Sequence, residues 1–250
     1  MKPVSFSIRR VNRLRRAAEK ARQLASVPDR LAETRSFSGR WSDSDGANDL
    51  LRVFDTLHLK AGFALRAFTY RAGGNGNGII WAVPADVPPV AVDDCPRLED
   101  TWLQPPQPPG AVPLMQAIDG DGSPWSYLSA SILSREATEF GAIWHGRAWS
   151  DQTILSKPPR QADDPDAEDD PRKLTGDAPV GNWTWHGAAP HTWRPTYAHL
   201  GSSREVILHI HNPIGGEAIY HATDIYPVVG SYDARTERTV LCTGDRLIVH

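Results

Sequence analysis

In "ILHIHNP" two histidines stand two apart, so on a strand His209 and His211 project from the same face. Neutral imidazoles are common ligands for zinc and iron, and a third donor would complete a weak pair. His199 sits just across a turn-forming Gly201-Ser202 pair, and His221 and Asp224 follow on the next segment. A metal, if one is held, would sit on His209, His211 and His199. Hydrogen-bonded histidines on a polar sheet face explain the same pattern with fewer demands, so we expect no resident metal.

A second candidate is "FTYRAGGNGNGIIWAVPAD", Phe68 to Asp86. A dinucleotide-binding loop needs a strand, G-x-G-x-x-G and then a helix whose amides face the pyrophosphate. Here the spacing is different, and Ile79 to Pro84 reads as a strand. Asn and Gly tolerate the positive φ of tight turns, so the loop is expected to be a hairpin tip. Trp-His-Gly occurs twice, in "AIWHGRAW" and "WTWHGAAPHTW", where indoles could line a cleft or fill a packed corner. Ser-x-x-Lys, Gly-x-Ser-x-Gly, His-Glu-x-x-His and Cys-x-x-Cys are all missing from the chain, which removes the commonest nucleophile and zinc motifs.

The elements that must position these residues follow from periodicity. Ile8, Val11, Leu14, Ala18, Ala21 and Ala25 recur at helical steps, opposite a basic face of Arg9, Arg10, Arg13, Arg15, Arg16, Lys20 and Arg22. That face is read as solvated, with a protein partner as the functional alternative. In "DGSPWSYLSASILSREATEFGAIWHG", Ser123 should cap a helix and Pro124 suits its first position. Trp125, Leu128, Ile132, Phe140 and Ile143 form its apolar side, with Glu136 and Glu139 pointing elsewhere. Phe63 to Tyr70 alternates like a strand with one polar-tolerant face. From Trp183 onward the text is rich in strands. The pattern predicts an α+β fold with a mainly antiparallel sheet. Residues 1–36 are expected as an N-terminal helical segment and 37–250 as one domain. A mobile loop is expected near 158–182, where "DDPDAEDD" places six acids in eight positions.

Composition narrows the class. A net charge of −3 over 250 residues argues against general nucleic-acid binding, which needs a basic surface. The two cysteines, Cys95 and Cys242, make no disulfide framework, and no apolar run approaches the length of a membrane span. We expect a cytoplasmic protein.

The last third resembles the second half of mono-ADP-ribosyltransferase domains. "TYAHLGSS", "EVILHIHNPIGGEAIYHATDIYP" and "TERTVLCTGDRLIV" follow that family's order of strands over about 55 residues. The resemblance implies NAD as a substrate. Arg71 or Arg66 would neutralise its pyrophosphate, Tyr70 or Trp81 would stack on nicotinamide, and Ser202 would help hold the cofactor. Glu237 would support the positive charge that develops as nicotinamide leaves. Thr239 stands where the family's second acid would stand. The histidine pair and "CTGDRLIV" are also similar to cupin wording, although Glu217 comes later than the cupin glutamate. The "GGNGNG" and "DGSPWSYL" wording resembles bacterial proteins of no assigned function. A non-catalytic binding or accessory protein is the alternative reading of the whole chain.

Overall fold

A computed structural model describes residues 2–25, 41–44, 46–72, 75–91, 94–101, 104–143, 148–162, 179–227 and 230–248. The fold is α+β with mainly antiparallel sheets, as expected. The chain divides into two compact units, Met1–Arg15 with Ser150–Val229 and Ala234–His250, and Arg16–Trp149 with Gly230–Asp233. The boundary expected near residue 36, the acidic run and the first Trp-His-Gly lie outside the described residues.

The first unit opens with β1 (Val4–Ser5), followed by α1 (Ile8–Ala25), which begins in this unit and ends in the other. Val11 and Ala18 are fully buried on its apolar stripe, while Arg9, Arg10, Arg13, Arg16 and Lys20 are exposed. Arg22 departs from the expected basic face. It is 2% exposed and belongs to a buried charge cluster described below.

The second unit is built on β2 (Ser42–Ser44), β3 (Leu57–Leu59), β4 (Phe63–Ala72), β5 (Asn75–Pro84), β6 (Val112–Pro113) and β7 (Ile118–Gly120). Strands β2, β4, β5 and β6 form one antiparallel sheet in that order, and β3 pairs with β7. The glycine-rich stretch is the β4–β5 hairpin, with Ala72 opposite Asn75. Its tip, residues 73 and 74, lies outside the described residues.

Both faces of this hairpin are covered, which corrects the expectation of a polar-tolerant face. Phe68 and Tyr70 pack with Trp41 and Cys95 on one side. Leu65, Ala67, Ile80 and Ala82 are buried on the other. There the strand meets α2 (Pro124–Thr138) and the segment after it.

Helix α2 starts as its sequence predicts. Ser123 Oγ accepts from the amide of Ser126 at 3.2 Å, and Pro124 stands in the first turn. Tyr232 closes over this end, its hydroxyl accepting from the Gly122 amide at 2.9 Å and its ring stacking on Tyr127.

Glu136 and Glu139 do not point to solvent; they are 1% and 3% exposed. Arg22 explains the burial. Its Nε donates to Glu136 at 2.9 Å, Nη1 donates to the Glu139 carbonyl at 2.9 Å, and Nη2 lies 3.3 Å from the Glu139 carboxylate. The Trp149 indole donates to Glu136 at 2.8 Å, and the Trp149 amide donates to Glu139. Charges buried this deeply persist only when each is paired and hydrogen-bonded.

The remainder of the first unit comprises β8 (Thr153–Ile154), β9 (Arg160–Gln161), β10 (Val180–Gly181), β11 (Thr184–Trp185), β12 (Thr196–Leu200), β13 (Ser203–Asn212), β14 (Gly215–Tyr226) and β15 (Arg235–Ile248). Its main sheet runs β1-β12-β13-β14-β15-β11, with β8 also pairing to β13. The long β13, β14 and β15 form a meander. Val206, Leu208, Ile210 and Ala222 are buried on one face. The other face carries the histidines and is covered by Leu155, Trp183 and Trp193, packed with Ile219 and Cys242. His221 and Asp224 of β14 therefore face opposite sides. Asp224 lies on the face away from the histidines, 1% exposed and accepting from the Thr236 hydroxyl at 2.6 Å.

Candidate functional site: a histidine pair on an aromatic sheet face

The β13–β14 register places His209 directly opposite His221. His209 is buried, while His221 is half-buried. Nδ1 of His209 lies 3.4 Å from the Trp193 carbonyl oxygen, and its Nε2 lies 3.1 Å from Nδ1 of His221. A carbonyl oxygen only accepts, so Nδ1 of His209 carries the proton and Nε2 offers its lone pair to the Nδ1–H of His221. Burial, reinforced by the nearby His221, pushes the His209 pKa down from its usual 6.5 to about 4, and burial also lowers that of His221. Both rings are therefore neutral at pH 7.

The pair ends a line of rings. Trp185 meets Trp193 edge-on at 6.1 Å, Trp193 tilts against His209 at 4.9 Å, and His209 meets His221 at 5.1 Å between centroids. Beyond His221, the register puts Thr239 directly opposite on β15 and Glu237 opposite Thr223, both exposed and on the same face. Glu237 forms an ion pair with Arg235 at 2.7 Å.

The second imidazole of the motif has its own partner. His211 Nε2 lies 2.9 Å from Glu217 Oε1, and Trp183 meets the His211 ring edge-on. Glu217 stands later in the chain than a cupin glutamate would, and the tight β13–β14 turn folds it back onto His211. The other oxygen, Glu217 Oε2, is buried with no hydrogen-bond partner among the described residues. Gly244 passes against it, so that a Cβ there would require the Glu217 carboxylate to shift. Burial, and then the charge of Glu217, pushes the Cys242 thiol up to about 11, so it is a protonated core group.

Within each unit the expected site residues have the following places. His199 bonds the carbonyl of Gly201 within its own turn at 2.9 Å and does not join His209 and His211 in a ligand set. No group of three or more His, Cys, Asp or Glu side chains converges for a metal among the described residues. Ser202 is exposed in the same turn. Glu237 belongs to the first unit, whereas Arg66, Tyr70, Arg71 and Trp81 belong to the second.

Tyr70, expected as a stacking platform, is a core residue, edge-on to Trp41 at 4.8 Å. Trp81 stands opposite Arg66 and donates its indole N–H to the Pro106 carbonyl at 2.8 Å. Arg66 is mostly buried, its Nε 3.9 Å from Asp43, and its Nη1 donates to the Leu65 carbonyl at 3.2 Å. Arg71 lies opposite Gly76 on the hairpin. Its side chain is outside the described residues.

Sequence reasoning missed the His209–His221 contact because it depends on register. "NPIGG" marks the turn, and counting back from it along two antiparallel strands would have paired the two histidines. Comparison with protein-family models, curated proteins and solved structures finds no match for this chain. No described helix is long and apolar enough to cross a membrane.

Proposed function

We propose that this chain is a ligand-binding protein working at the open end of the histidine–tryptophan face. The observation that carries the reading is the line Trp185–Trp193–His209–His221, which ends in a half-buried imidazole whose orientation is set from behind. Rigid aromatic and histidine rings beside a few directed polar groups are what small-molecule sites are made of.

Transfer of an ADP-ribosyl group is the second reading, favoured by the exposed Glu237 on the same face as His221. It has weaker support, because Tyr70 is committed to a core and Glu237 to Arg235. Calorimetry with NAD, followed by an assay for nicotinamide release, separates the two. The binding reading expects no release. Turnover of NAD by the purified chain, abolished in Glu237→Gln, would replace it with the transferase.

A further inference from the structure

The binding reading above leaves the ligand's chemistry open, and the proton arrangement at the histidine pair narrows it. We propose that Nε2 of His221 is a preset hydrogen-bond acceptor for a neutral polyhydroxylated ligand of the sugar class. The Trp193 carbonyl fixes the proton on Nδ1 of His209, and His209 Nε2 then takes the Nδ1 proton of His221. What remains on His221 is the Nε2 lone pair, directed away from His209. This is the opposite tautomer to the one that free histidine favours in water.

The groups around that lone pair select for donors. Thr239 faces His221 from β15, and Glu237, paired with Arg235, is two positions further along the same strand face. An imidazole lone pair, a carboxylate and a hydroxyl together accept from adjacent O–H groups. A phosphate or carboxylate ligand would set lone pairs against the lone pair.

The test uses the full chain labelled with nitrogen-15. Long-range proton–nitrogen correlation of the histidine rings at pH 7.5 should show His209 and His221 both protonated on Nδ1. Titration with methyl α-glucoside should shift the His221 ring and Thr239 amide signals, and inorganic phosphate should leave them in place. His221→Ala should bind the glucoside about tenfold more weakly, the scale of one hydrogen bond, with other spectral changes confined to His209 and its neighbours. His221→Gln, whose side-chain amide can still accept, should restore part of the loss. A proton on Nε2 of His221 overturns the proposal, as does a response to phosphate or none to the glucoside. None of these results bears on NAD turnover, so the binding reading stands or falls separately.

Discussion

Nδ1 of His221 and Nε2 of His209 lie 3.1 Å apart across β13 and β14, and only one arrangement of protons suits them. The deeper ring is anchored to a backbone carbonyl, so its orientation cannot reverse without losing that bond. The shallower ring inherits its tautomer. A main-chain oxygen of Trp193 thereby sets which atom His221 presents at the sheet face.

That arrangement makes stability depend on pH. The unfolded chain binds a proton at His209 near pH 6.5, whereas the folded chain resists until about pH 4. Between those values the unfolded state holds more protons, so stability is full above 6.5 and is lost as pH falls toward 4. At about 1.4 kcal/mol per tenfold in acidity, His209 alone contributes on the order of 3 kcal/mol. His221 and His211, also lowered by burial, act in the same direction. Urea unfolding at pH 7.5 and 4.5 should show the loss, and His209→Gln should shrink it.

The buried cluster around Arg22 is the second test. Arg22→Met leaves Glu136 and Glu139 buried without their cation, which should cost about 3–5 kcal/mol. Arg22→Lys should fall between, since an ammonium cannot reproduce the fork that reaches both glutamates. Midpoints of chemical denaturation for the two variants check the order.

Gly78 gives a third. A Cβ there would stand 2.6 Å from the Phe140 carbonyl oxygen and 2.9 Å from that of Phe68. Both obstacles are backbone, so Gly78→Ala should destabilise the protein by about 1–3 kcal/mol. Gly187→Ala, with open space around the new methyl, should lie within about 0.5 kcal/mol of wild type. Thermal melts of the two variants make the comparison.

These residues also show what could be read in advance. The Ser123 cap and the β4–β5 hairpin rest on interactions between near neighbours, and their residue types announce them. The need for glycine at position 78 was not legible, because the backbone that crowds it belongs in part to the segment after α2. Glu136 looked solvent-facing because the residue that neutralises it stands 114 positions earlier. Tyr70 looked available because alternation reports one face at a time, and here both faces are covered. His209 and His211 were found from their spacing, but their true partners, His221 and Glu217, follow from strand register. Periodicity reports which side a residue faces. It does not report what waits there.

The central claim is that ligands are taken at the His221 end of the ring line. The most direct measurement is a backbone amide spectrum of the full chain, recorded against a library of small neutral fragments rich in hydroxyl and amide donors. Shifts should concentrate on His221, Thr223, Thr239 and Glu237, and should vanish in His221→Ala. Fragment shifts gathered elsewhere and unchanged in that variant would contradict the account.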